Sequence, residues 1–136
     1  DYGEKRIGVS ISDPLKIFAS PYKVILNNNL KDVLIQISQI INQKNINKII
    51  IGYPLNLKSQ KTAQTIEVEK FISYLDKKIK IPITKIDERF TSKISIANLN
   101  QLKIKSGTNK GQIDMQSATI ILQDYLDMKK NNEIKI

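Results

Sequence analysis

The sequence predicts an α/β fold on a mixed five-stranded sheet, with three antiparallel strands first and then alternating helices and strands packed on its faces. Three observations predict it. The opening D-Y-G-E-K-R turns at a glycine into an alternating stretch in which Ile7, Val9 and Ile11 are apolar. The run Ile49, Ile50, Ile51 is continuous, as in a strand buried on both faces. The segments on either side of that run carry their apolar residues at helical spacing instead.

Taken in order, a first strand ends near Asp1 and reverses at Gly3, where the missing side chain permits a tight turn. Arg6 to Ser12 returns as the second strand, and Ala19 to Leu26 forms the third after a turn at Ser12, Asp13 and Pro14. Leu30, Val33, Leu34, Ile37, Ile40 and Ile41 then make one face of an amphipathic helix over about Leu30 to Lys44, which ends at Asn45 to Lys48. The buried strand runs from Lys48 to Tyr53 and stops at Gly52 and Pro54. A second helix, about Thr62 to Lys78, should bury Ile66, Phe71, Ile72 and Leu75, and a strand follows from Ile83 to Asp87. Ser92 can cap a third helix through about Leu102, and after a polar loop with Gly107 and Gly111 the last helix opens at Asp114 and runs to about Met128.

The 136 residues read as a single domain without an internal repeat or a Gly/Ser-rich linker. The chain opens without Met on a residue placed at a strand end, so the N-terminal part of the first strand is expected to be missing. An ammonium at Asp1, with a pKa of roughly 7.7 to 8, would oppose cation binding by its own carboxylate. No apolar run approaches the roughly 18 residues that cross a bilayer and no signal peptide is visible, so a cytoplasmic protein with no membrane partner is expected.

Composition narrows the chemistry. With no Cys there is neither a disulfide nor a thiolate, and with no His there is neither an imidazole base nor a zinc ligand of that kind. Carboxylates must therefore carry any catalysis. The 22 Lys and Arg against 13 Asp and Glu give a formal charge of +9, which favours a polyanionic partner, nucleic acid first among them. Lys-rich solubilisation of the surface is the plainer explanation of the same balance. Neither an RNA-recognition aromatic motif nor zinc-finger spacing is present, so contact should be mostly to phosphate.

Three segments each offer an acid: Asp1 beside Lys5 and Arg6, D-E-R-F-T at Asp87 to Thr91, and Asp114 at the head of the last helix. Asp114 lies four, seven and eleven residues before Ala118, Ile121 and Tyr125, on their inward stripe, while Asp127 falls on the opposite, solvent side. A cap or dipole partner is the alternative role for Asp114. Asp87 and Glu88 are neighbours on a strand and point to opposite faces. Periodicity does not choose between them; Glu88 is preferred, with Asp87 as the alternate and a salt bridge to Arg89 as the structural alternative.

D-Y-G-E-K-R-I-G-V-S-I-S-D-P, I-I-I-G-Y-P-L-N, D-E-R-F-T and K-G-Q-I-D-M-Q-S-A, in this order along nearly the whole chain, resemble the YqgF family of RNase H-like proteins, called RuvX in some bacteria. Its members are described as Holliday junction resolvases or pre-16S rRNA nucleases. The chain departs from the family pattern at Lys58 to Lys61, where a glycine-bearing stretch is common, and at Gly111 and Ser117.

The resemblance implies an RNase H-like fold with helices on both faces of the sheet, and a catalytic, metal-holding set of Asp1, Glu88 and Asp114. One or two Mg2+ or Mn2+ ions, which prefer oxygen ligands, would lower the pKa of a bound water and stabilise charge on phosphate. Lys5, Arg6, Arg89 and Lys110 are candidates to grip phosphates, and Asn56 and Thr91 to orient substrate or a carboxylate. The expected activity is phosphodiester hydrolysis of structured nucleic acid, in 5′-end processing of pre-16S rRNA. Resolution of four-way DNA junctions and non-catalytic nucleic-acid binding are the alternatives. Junction cleavage would favour a homodimer, RNA trimming only a monomer. The actin and sugar-kinase group also opens with a D-x-G hairpin, but it needs two such domains.

Overall fold

A computed structural model describes residues 1–88 and 110–134. Its elements are β1 (Arg6–Ser12), β2 (Ala19–Leu26), α1 (Leu30–Lys44), β3 (Ile49–Tyr53), α2 (Ala63–Lys78), β4 (Ile83–Asp87) and α3 (Lys110–Ile134). The helix expected over Ser92 to Leu102, together with Arg89, Thr91 and Gly107, lies outside the described residues.

β1 and β2 are antiparallel, from Arg6 opposite Leu26 to Ser12 opposite Ala19, with a register shift after Val9. The shift falls where Pro21 enters β2, since proline has no N–H for a regular ladder. The Asp13 carboxylate closes the connecting turn by accepting the backbone N–H groups of Ile17 (2.7 Å) and Phe18 (2.9 Å). The Phe18 bond in particular holds its pKa below the usual carboxylate value. α1 starts where Asn29 accepts the Asp32 N–H at 2.9 Å, and ends at Asn45 in the left-handed conformation (φ 53°), its N–H returning to the Ile41 carbonyl. β3 and β4 are parallel, pairing Ile49 with Ile83 through Tyr53 with Asp87.

α2 is phased differently from its apolar pattern. Thr65, Val68, Phe71 and Leu75 are buried, whereas Ile66 is 47% exposed. The cause is local hydrogen bonding: Thr62 and Thr65 form a reciprocal capping box, and the Thr65 hydroxyl also donates to the Pro54 carbonyl, which turns position 65 inward.

The helices lie on both faces of the strands. Ile7, Ile25 and Ile51 pack with Val33 and Ile40 of α1 and with Val68, Phe71 and Leu75 of α2 in one apolar cluster. On the other face α3 is fixed to the hairpin by polar contacts. Ser10 Oγ donates to the Ala118 carbonyl (2.9 Å), Gln123 Oε1 accepts the Ala19 N–H (2.9 Å), and Gln123 Nε2 donates to the Ile17 carbonyl (3.0 Å).

Two further findings differ from the sequence reading. α3 is already helical at Lys110, so Asp114 lies beyond the first described turn and is not an N-terminal cap. Among the described residues the strands form two pairs, β1 with β2 and β3 with β4. The chain is thus α/β as expected, with the described strands in two small sheets.

Candidate functional site

The site begins with Gly8. Arg6, Gly8 and Ser10 alternate onto the face of β1 that meets α3. A Cβ at Gly8 would run into the Asp114 carbonyl, so only glycine lets the second turn of α3 lie this close to the strand. On its edge, Gly8 exchanges both backbone hydrogen bonds with Asp1 (3.0 and 2.9 Å). Residues 113 positions apart therefore meet around one glycine.

Tyr2 stacks on Phe71 with ring centroids 4.7 Å apart, on the side of α1 and α2. Asp1, one residue before it, is held to the edge of β1 by its backbone bonds to Gly8. Glu88 reaches the side of α3: a Cβ at Gly52 would meet its carboxylate and the Ile121 methyl of α3. Asp87 pairs with Tyr53 at the end of β4 and is half-buried.

The Asp114 carboxylate is engaged by Arg6, with Nε to Oδ2 at 2.7 Å and side-chain exposures of 33% and 25%. Arg6 and Lys110 border one shallow depression with Gly111 and Met115, so two of the anticipated cations stand beside Asp114. Lys5 is exposed near the opening turn, its carbonyl accepting the Asn27 N–H at 2.9 Å. Asn56 organises its own loop: its Oδ1 accepts from Lys58 N (3.0 Å) and Gln60 N (2.8 Å), and its Nδ2 donates to Gln60 Oε1 (3.0 Å).

The donor chemistry of Asp1, Glu88 and Asp114, all carboxylate oxygens, suits a hard divalent cation. The arrangement is looser than a ligand cage: among the described residues no three acid, His or Cys side chains are grouped to hold a metal ion.

On the α2-facing side of β3, away from the α3-facing side, lies a cluster that the sequence reading did not single out. Tyr53 donates its hydroxyl to Glu69 Oε1 (2.5 Å), Lys61 pairs with the same oxygen (2.8 Å), and Lys85 Nζ sits 4.8 Å from the Tyr53 ring centroid. Lys61 and then Tyr53 hold the Glu69 pKa below its usual value. Glu69 in turn raises the pKa of both Tyr53 and Lys61. This cluster ties α2 to the end of β3 and to the loop that follows. The glycines carried a readable signal, because a glycine inside a strand marks close backbone approach; the Tyr53 cluster joins segments too distant for spacing to reveal.

The α/β layer thus carries Asp114 beside Arg6 and Lys110 where β1 meets α3, Asp1 bonded to the edge of β1 through Gly8, and Glu88 over Gly52. The chain belongs to the RuvX family: residues 1–128 match the family model described as Holliday junction resolvase. It is 39% identical over 134 residues to a protein of Ruminiclostridium cellulolyticum named "Putative pre-16S rRNA nuclease", covering 98% of this chain and 94% of that one. Proteins with the same name from a Sulfurihydrogenibium species (42% identity, 93% and 86% covered) and from Amoebophilus asiaticus (36%, 98% and 95%) are similar over comparable lengths.

Proposed function

We propose that this protein is a nuclease that hydrolyses phosphodiester bonds of structured RNA in the 5′-end processing of pre-16S rRNA. It acts in the cytoplasm from a single RNase H-like domain with a five-stranded mixed sheet. The observation that carries the reading is the convergence at Gly8: Asp1 on its edge and Asp114 above it, with Glu88 over Gly52 on the same α3-facing side. The names of the similar proteins and the net charge of +9 support it.

In this reading water attacks phosphorus and the bridging P–O bond breaks. Lys110 and Arg6 hold the non-bridging oxygens by charge-assisted hydrogen bonds. Arg6 reaches the phosphate by exchanging Asp114 for it, so substrate binding releases a carboxylate. Asp1, Glu88 and Asp114 are the residues that would hold Mg2+ or Mn2+, which supplies Lewis-acid stabilisation of phosphate charge and acidifies water. Arg89 and Thr91 follow Glu88 directly in the chain and are proposed to extend the phosphate grip.

The description of the family model favours a second substrate, a four-way DNA junction, for which a homodimer would present two sites. Incubating the protein with a precursor 16S rRNA fragment and a four-way junction in parallel, with Mn2+, Mg2+ or chelator, separates the readings. Metal-dependent cutting of the RNA is expected, and cutting of the junction alone would select the second. Salt-sensitive binding that ignores the metal, with neither substrate cut, would make the protein a binding module.

A further inference from the structure

α3 carries Asp114 and Tyr125 on one stripe, eleven residues and so roughly 16 Å of helix apart. β3 measures a similar span. Glu88 lies over Gly52 near the end of that strand, whereas Lys48 stands just before its first residue, roughly 13 Å back along the chain. Lys48 and Tyr125 meet there, Lys48 Nζ donating to the Tyr125 hydroxyl at 3.2 Å. The hairpin turn lies at this end too, since Gln123 bonds to Ile17 and Ala19.

Lys129, one helical turn beyond Tyr125, brings a second ammonium to the same ring: its Nζ and that of Lys48 are each 5.8 Å from the ring centroid. Other exposed lysines take acids, Lys61 pairing with Glu69 and Lys70 with Glu67. Among the described residues neither Lys48 nor Lys129 is paired with a carboxylate. Both are exposed, while Tyr125 is half-buried and so held in place. Because the Tyr125 oxygen accepts from Lys48, its hydroxyl hydrogen is left to donate, and it has no acceptor among the described residues. Two ammonium groups and a hydroxyl donor gathered at one exposed point suit an oxyanion. Lys16 and Lys44 border the opening beside Lys48 and raise the positive potential there.

We propose that Lys48, Lys129 and the Tyr125 hydroxyl form a second phosphate-binding point, which holds the backbone of an RNA arm roughly four or five phosphates from the acids, at ~3.4 Å for each step of a duplex. It anchors the nucleic acid away from the reacting atoms. That the anchored RNA is a substrate rests on the nuclease reading; the binding of its phosphate does not.

The test is fluorescence anisotropy with a stem-loop RNA of about twelve base pairs, long enough at ~3.4 Å for each step to span both places, in chelator so that binding is read without cleavage. Lys48→Gln and Lys129→Gln should each weaken binding about fivefold to tenfold at 0.1 M salt and lower the slope of log affinity against log salt by about 1, as expected for one lost phosphate contact. Tyr125→Phe keeps both charges, so it should weaken binding about twofold with the slope unchanged. Lys70→Gln removes the same charge from α2 and should bind like the unsubstituted protein. Circular dichroism checks each fold. If Lys48→Gln and Lys129→Gln weaken binding no more than Lys70→Gln, or if Tyr125→Phe binds unchanged, the lysines act only as dispersed charge and the proposal is overturned. With metal added, Lys129→Gln should raise KM and leave kcat unchanged, and an equal loss in kcat would contradict an anchor remote from the chemistry. Weakened binding in these variants without any cleavage by the unsubstituted protein keeps the phosphate point and dismisses the nuclease reading; cleavage with binding indifferent to the variants does the reverse.

Discussion

Glu69 is the residue on which two neighbouring groups, Tyr53 and Lys61, depend, and its protonation carries a sign that can be worked out. Its folded-state pKa is lowered from 4.5, so its contribution to stability is present above that value and is lost as pH falls through the folded value. Glu69→Gln should therefore lower the melting temperature at neutral pH, and the two melting curves should converge on acidification. The same substitution removes the acceptor that raises Tyr53, so phenolate absorbance should move Tyr53 back toward its ordinary value of 10.0. A Tyr53→Phe difference spectrum isolates that titration from the other tyrosines. Lys61 has the opposite dependence: its raised pKa adds stability that is lost only as alkaline pH passes its folded value.

At the scale of elements, Gly8 and Asn29 make separable contributions. Gly8→Ala drives a methyl into the Asp114 carbonyl and should cost about 1–3 kcal/mol in chemical denaturation by lifting α3 from β1. Asn29→Ala removes the α1 cap and should cost about 1 kcal/mol without disturbing α3. The bounds of β1, β2 and α1 were legible in the sequence, because alternation, helical spacing and the break at Asn45 agree there. The helical turn before Asp114 was not, since Asp114 resembles a cap while Gly111 does not break the helix. α2 was misphased because Thr65 is buried by hydrogen bonds and not by hydrophobicity. Sheet pairing was the least legible feature: alternation tells which face of a strand is covered, not which strand lies beside it. Gly8 and Gly52 inside their strands signalled close approach, whereas what approaches them, the Asp114 carbonyl and the Glu88 carboxylate, came into view only with the packing.

Over the whole molecule, the charge of +9 makes binding to nucleic acid depend on salt, through release of counterions from the phosphates. Lys110→Glu should weaken binding of RNA fragments of different sequence by a similar factor, and should reduce the slope of log affinity against log salt by about 1. A change confined to one sequence would instead assign Lys110 to base recognition. The proposed function separates binding from cleavage: the cations would bring the polyanion in, and the carboxylates would act on it. The most direct test of that division is single-turnover cleavage of a precursor 16S rRNA fragment by the Asp114→Asn protein in Mn2+, with its fold checked by circular dichroism. Cleavage should be lost while RNA binding is retained; undiminished metal-dependent cutting by that protein would contradict the account.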